Sequence, residues 1–280
     1  MLITVDLGSF NIKTSTGFIT ENRFVRDNES ESYGAEVLNF NDNNYFFGKG
    51  EFDKTFSKAH KQIMPPLLYS LSKSKVQGDT NLILHLPSSQ MAMKKSIIEQ
   101  LQGKEFSYSV NGIKNKVKFN KVAILKEGWS SFYALAKRNE GLIAIMDIGG
   151  RTTDIFTFNN GIQEKEKSLP IGTMNLFSDI AETLNGIGQN RKLEDIHKLL
   201  VNKIINIETF EKIIAGYTAK IVNNIKVDIE HLQDYKIFLT GGGAEYFKKE
   251  LEKYFKIETL KESLVSNCNG SLNIGKAKGF

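Results

Sequence analysis

The stretch LIAIMDIGGRTTDIFTF, Leu142 to Phe158, decides how the rest of the chain is read. An apolar run ends in Asp147, the segment Ile148-Gly149-Gly150-Arg151-Thr152 follows, and a second apolar run begins at Thr153. Strand-forming residues on both sides of a glycine pair predict two strands joined by a tight turn. The turn leaves a carboxylate and bare backbone N–H groups at a strand end, which is chemistry suited to a phosphate and its Mg²⁺.

A glycine turn between apolar strands is most often only a turn. The chain, however, carries a second one. Residues 2–17, LITVDLGSFNIKTSTG, again run strand, Asp6, glycine turn and polar strand, with Lys13 beyond the turn. Two Asp-x-Gly hairpins from separate halves of a chain can close on one triphosphate.

Composition bounds the alternatives. A chain of 280 residues, 40% of them apolar, suggests one large or two ordinary domains with enough apolar surface for real cores. No apolar run approaches the roughly twenty residues of a membrane span, and the chain opens into a strand, so a cytoplasmic protein with no membrane partner is expected. The single Cys268 has no internal disulfide partner, and His60, His85, His197 and His231 are too scattered for a metal cluster. Lysine and arginine exceed the acids by 5, but the lysines are dispersed along predicted helices and form no dense basic stripe of the kind direct nucleic-acid binders show.

In chain order, residues 21–61 are polar and glycine-dotted, and are expected to form an exposed excursion with one short strand at Tyr45–Phe47. Thr80–Leu86 predicts a buried strand stopped by Pro87, then a helix capped by Ser88 or Ser89 that carries Met91, Ile97, Ile98 and Leu101. Asn111-Gly112 predicts a type I′ hairpin between Phe106–Val110 and Ile113–Phe119. Lys121–Leu125 reads as another strand, followed by Glu127 and an amphipathic helix bearing Trp129, Phe132, Tyr133, Leu135 and Ala136. After the central hairpin come a return strand ending near Leu169, a helix opened by Gly172-Thr173, a helix over 192–201, and a long helix with Phe210, Ile213, Ile214, Tyr217, Ile221 and Ile225 on one face. KIFLT, Lys236–Thr240, predicts a strand that enters Gly241-Gly242-Gly243 and a helix from Glu245. The tail from Asn267 to Gly279 is expected to be a helix packed on the first domain.

Five elements in this order, Asp6-Leu-Gly-Ser9, Glu127 before a helix, Asp147-Ile-Gly-Gly150, Gly241–Gly243 and the tail from Asn267, resemble the signatures of the actin, Hsp70 and sugar-kinase superfamily: phosphate 1, connect 1, phosphate 2, adenosine and connect 2. The resemblance implies an α/β, two-domain ATPase fold with nucleotide in the interdomain cleft. Its domain I would be residues 1–138 plus 266–280, and its domain II residues 139–265. DIGGRTTD, the connect 1 glutamate and LTGGGAEYF look most like bacterial plasmid-segregation actins of the ParM group. Only roughly 80 residues separate Thr153 from Phe238, so the subdomain called IIB looks largely missing. In this the chain is similar to the reduced AlfA type.

The resemblance also implies roles. Asp6 and Asp147 would hold Mg²⁺ through its water shell. Gly8, Ser9, Asn11, Lys13, Gly149, Gly150 and Thr152 would contact the phosphates of ATP, with GTP as the alternative, and Gly172 would line the same site. Glu127 would position the attacking water, with Asp147 as the other member of the catalytic pair. Gly241, Gly242 and Gly243 would pass under ribose and base, and Tyr246 would contact adenine. Arg151 stands where phosphate 2 commonly has a third glycine, which leaves open a guanidinium on the phosphates or one facing solvent. The expected activity is slow, filament-coupled ATP hydrolysis. The expected partners are further copies in a multi-stranded or bundled filament and a DNA-binding adaptor that carries plasmid DNA. The alternative within the superfamily is a small-metabolite kinase of the pantothenate-kinase type. An Hsp70-like chaperone would need a separate peptide-binding domain, for which this chain has no room.

Overall fold

Alternation in Leu2–Leu7 (β1) and Asn11–Thr14 (β2) dictates a hairpin whose apolar face is the core, where Ile3, Val5 and Ile12 are each wholly shielded from solvent, and Thr4 and Asp6 on the other face of β1 are buried as well. Burial of each such side chain contributes about 1.5–3 kcal/mol. The computed structural model describes residues 1–27, 33–53, 55 and 61–280. The chain divides into two compact units, Met1–Ala134 with Val265–Phe280, and Leu135–Leu264.

The first unit is built on a nine-stranded sheet in the order β3-β2-β1-β7-β9-β8-β5-β6-β4. Its remaining strands are Ile19–Glu21 (β3), Phe24–Arg26 (β4), Glu36–Phe40 (β5), Asn43–Phe47 (β6), Gly78–Leu86 (β7), Glu105–Val110 (β8) and Ile113–Lys126 (β9). The parallel trio β1, β7 and β9 is its centre. Met64–Lys73 (α1), Lys94–Leu101 (α2), the single turn Trp129–Phe132 (α3) and the C-terminal Ser266–Ala277 (α8) pack on it.

Several expectations are corrected here. The described residues of 21–61 are no exposed excursion: β4, β5 and β6 are strands of the main sheet, and Tyr45, Phe46 and Phe47 are buried. Phe47 stacks on Tyr69 of α1 at a centroid distance of 3.8 Å, which anchors the added strands to the core. Lys121–Leu125 is no separate strand; it continues β9 past a bulge that faces Thr80 and Asn81. The serines after Pro87 do not cap a helix, because residues Ser88–Met93 form a 3₁₀ segment without a side-chain cap. The helix after Gly128 is only four residues long. Its serine hydroxyls bond elsewhere, Ser130 Oγ donating to Lys126 O and Ser131 Oγ to Asn267 Oδ1, and such side-chain bonds compete with helix propagation. His60 lies outside the described residues.

The second unit holds a five-stranded sheet, β12-β11-β10-β13-β14. Leu142–Ile148 (β10) and Thr153–Asn159 (β11) form the predicted hairpin, Ile162–Leu169 (β12) extends it, and Lys236–Thr240 (β13) and Ile257–Thr259 (β14) run parallel to β10. Between β12 and β13 the chain forms the helices Thr173–Gly186 (α4), Leu193–Val201 (α5) and Glu211–Asp228 (α6), with no sheet of its own. Ile214, Ile221, Val222 and Ile225 bury the inner face of α6, as the helical spacing requires. Ala244–Leu251 (α7) follows the glycine cluster.

Candidate functional site

In the first unit the turn between β1 and β2 carries Gly8, Ser9 and, at the start of β2, Asn11. A Cβ on Gly8 would stand 2.7 Å from the Asn11 carbonyl oxygen, so only glycine closes this turn. Asn22 Nδ2 donates to Gly8 O at 2.7 Å, and Lys61 Nζ donates to Ser9 Oγ at 3.2 Å. Asp6 is buried at the end of β1, and Lys13 Nζ meets its Oδ2 at 2.9 Å, the side chains being only 4% and 12% exposed. Removing one partner of a buried pair of this kind costs about 3–5 kcal/mol. The pair thus joins the predicted carboxylate to the predicted phosphate lysine. Behind it, Thr4 Oγ1 donates to Cys268 O at 2.8 Å, and Cys268 Sγ lies 3.5 Å from Lys13 O, which ties α8 to the hairpin. Burial, then the Asp6 charge, push the Cys268 thiol up to about 12 against a smaller opposing effect of Lys13.

Glu127 follows the end of β9 in the same unit. Its N–H donates to Leu86 O at 2.9 Å, and its carbonyl accepts from Trp129 N. Gly128, at φ +69°, donates its N–H to Asn267 Oδ1 at 2.9 Å. The side chain of Asn267 therefore fixes the turn that presents Glu127. Asn22 and Lys61 escape sequence reasoning because each reaches its turn from further along the chain, and so does the contact of Asn267, the start of the tail element, with Gly128.

In the second unit Asp147 is buried on β10, with Asp154 as its cross-strand neighbour on β11 and Thr240 on β13. The Gly149-Gly150-Arg151-Thr152 turn is fastened at both ends. Gly149 N–H donates to Thr152 O at 2.8 Å, while the carbonyls of Gly149 and Gly150 accept from Thr173 and Met174, the first N–H groups of α4. Thr152 is buried and Arg151 half-buried. Gly172 lies under the turn: a Cβ there would meet Arg151 N at 2.5 Å, and its own N–H donates to Asn175 Oδ1. Its part is to let α4 approach the turn.

The glycine cluster after β13 has the same character. A Cβ on Gly241 would lie 2.3 Å from Asp147 Oδ1, and one on Gly243 would lie 2.2 Å from Ile148 Cγ2. Gly243 N–H donates to Ile148 O, and Thr240 Oγ1 donates to Ser263 O. Gly242 has only Leu264 nearby. Tyr246 turns inward: its hydroxyl lies 2.8 Å from His197 Nδ1 on α5 and its ring packs edge-on against Phe177 of α4, burial raising its pKa well above the ordinary tyrosine range. Unit by unit, the structure gathers Asp6, Gly8, Ser9, Asn11 and Lys13 about one turn, and Asp147, Gly149–Thr152, Gly172 and Gly241–Gly243 about the other.

Chemically, each turn offers a strand-end carboxylate beside backbone that approaches closely. Among the described residues no cluster of three or more His, Cys, Asp or Glu could cage a metal. A cation at Asp6 or Asp147 would take most ligands from water and phosphate oxygens, which suits Mg²⁺.

Residues 145–253, which run from β10 past α7, match the family model of the C-terminal domain of the archaeal actin homologue MreB-like proteins. Among solved structures the chain is similar to Ta0583, an archaeal actin homolog, with 18% identity, 99% of each chain covered and a TM-score of 0.82. The chain has the actin fold. That archaeal protein has also been solved in complex with ADP. The same fold relates the chain to a 15-stranded ParM filament from Clostridium botulinum, at 15% identity, 99% of each chain and a TM-score of 0.74. It relates it also to an AlfA filament bound to AMPPNP, at 20% identity, 99% of this chain, 97% of that chain and a TM-score of 0.64. Comparison with curated protein sequences gave no significant match. Within the actin fold, the β1–β2 and β10–β11 turns are the two positions that carry Asp-x-Gly in this chain. No helix among the described residues is long and apolar enough to cross a membrane.

Proposed function

We propose that the protein is a nucleotide-dependent, filament-forming ATPase that moves plasmid DNA through a DNA-bound adaptor. The observation that carries this reading is the doubled turn, each copy with a buried aspartate at a strand end followed by glycine, a Cβ on Gly8 standing 2.7 Å from Asn11 O in the first and one on Gly241, beside the second, 2.3 Å from Asp147 Oδ1. Similarity to filament structures, one of them bound to AMPPNP, supports assembly as the outcome.

In this account both turns serve one Mg²⁺–ATP, which supplies the phosphoanhydride to be cleaved. Asp6 and Asp147 orient the water shell of the cation, and Lys13, already held by Asp6, offsets phosphate charge. Ser9, Asn11, Gly150 and Thr152 donate to phosphate oxygens, while Gly149, its N–H held by Thr152 O, shapes the turn. Glu127, held by the Gly128–Asn267 bond, orients the attacking water. Placement and charge neutralisation carry most of such a reaction, so a weak base suffices and turnover is slow. Gly172, Gly241 and Gly243 act by allowing close packing beneath the turn, Gly242 is left to pass near the nucleoside, and Tyr246 supports the helices that carry it.

Phosphate release from ATP and Mg²⁺ with no added acceptor tests the reading against a metabolite kinase. Release should be slow and should rise with protein concentration as filaments form. Release that requires an added hydroxyl acceptor would assign the site to a kinase.

A further inference from the structure

Away from these turns the first unit has a strand with an open edge. β8 pairs with β9 along its whole length, from Glu105–Lys118 to Val110–Ile113. On its other side it meets β5 at two positions only, Leu38–Val110 and Asn39–Ser109. Asn111 N–H donates to Val37 O, so backbone groups of Asn111, Ser109, Ser107 and Glu105 face the β5 side by the alternation of an antiparallel ladder. Beyond Asn39 no described strand pairs with Ser107 or Glu105. A recess of about 810 Å³ lies along this edge, lined by residues Asn39–Asn44 of the β5–β6 hairpin, Ser107–Ser109 and Lys114–Lys116.

The two faces beside the edge differ in chemistry. Outward on β9 stand Lys114, Lys116 and Lys118, all exposed, at the two-residue spacing of a strand, roughly 6.8 Å apart. Glu105 pairs with Lys116 at 2.8 Å and leaves the row net positive. On the opposite face Phe106 and Phe40 are half-buried, with ring centroids 6.3 Å apart. We propose that the β8 edge binds an extended segment of a partner protein with alternating acidic and apolar residues, added as a further strand. The main-chain bonds would come from Glu105 and Ser107. The acidic side chains would lie about 10 Å, two strand spacings, from the lysine row, within reach of its long side chains, and the apolar ones beside Phe40 and Phe106. This inference does not depend on the nucleotide reading.

A fluorescein-labelled octapeptide of alternating Glu and Val, titrated with the full chain and followed by anisotropy, tests it. Saturable binding is expected, weakened about tenfold or more by Lys114→Glu with Lys116→Glu, and weakened as salt rises. Ser107→Pro should abolish it, because proline removes an N–H that the β8–β9 ladder does not use. Slowed amide exchange at Ser107 in the wild-type complex checks the same contact without a variant. Unchanged affinity in the lysine variant, no protection at Ser107, or equal binding of a Lys-Val octapeptide would overturn the proposal. So would displacement of the peptide by single-stranded DNA that binds Ser107→Pro undiminished, which would assign the lysine row to nucleic acid.

Discussion

Asp147 Oδ1 occupies the space that a side chain on Gly241 would fill, since a Cβ there would stand 2.3 Å from that oxygen and 2.4 Å from Ile148 O. The strand-end carboxylate and the glycine cluster, nearly a hundred residues apart in sequence, are therefore one packing unit. Gly241, by being small, leaves the room that the aspartate occupies.

Gly241→Ala should test this. Gly241 and Gly17 both have positive φ, +82° and +88°, but nothing lies within 4 Å of a Cβ on Gly17. Gly17→Ala is expected to cost only the backbone term, about 1–2 kcal/mol. Gly241→Ala adds a steric term of about 1–3 kcal/mol and should displace the Asp147 carboxylate. Denaturant unfolding of both variants, with nucleotide affinity measured beside it, separates the two; equal losses would show that the close approach is unimportant.

Glu127→Gln keeps the shape of the side chain and removes its charge. Nucleotide affinity should stay near wild type while phosphate release slows by roughly 10², the loss expected for a water-positioning group. Asn267→Ala should slow release as well, because it removes the acceptor for Gly128 N–H that fixes the turn. Single-turnover release compared with equilibrium binding distinguishes these effects from weakened affinity, and unchanged release in Glu127→Gln would reduce the residue to a turn support.

Both hairpins were legible in the sequence because aspartate, glycine and alternating apolar residues are local signals, and Asn111-Gly112 was legible for the same reason, its residues adopting φ of +49° and +79°. Less local features were hidden. Helix α1 carries Pro65 and Pro66 directly after its first residue, which suggest a break unless they are recognised as first-turn residues, and its Leu67, Leu68 and Leu71 are wholly buried. Strands β5 and β6 each begin with polar residues and show their place in the sheet only through pairing with β8 and β4. The inward turn of Tyr246 depends on His197 and Phe177, on helices earlier in the chain, and no spacing rule could have found it.

Cys268 supplies a prediction about pH. Its thiol is wholly buried and its pKa is raised from 9.0 to about 12 in the folded protein, so the folded state favours the protonated form. The resulting stability is fully present below pH 9.0 and is lost as pH rises toward about 12. Cys268→Ala should flatten the fall of stability over that window, as read from the difference between wild-type and variant unfolding curves. The native thiol should also resist alkylation at pH 8 until the protein unfolds. Rapid alkylation of the folded chain would contradict the packing of α8 against β1 and β2.

The central claim is that nucleotide held by the two aspartate turns drives assembly. Sedimentation with electron microscopy, on wild type and Asp147→Ala with ATP, ADP and no nucleotide, tests it most directly. The account predicts filaments of the wild-type protein with ATP and Mg²⁺, loss of them with ADP or without nucleotide, and none from a folded Asp147→Ala protein under any condition. Filaments of equal amount from Asp147→Ala, or a wild-type protein that stays in solution with ATP and Mg²⁺ at every concentration, would contradict it.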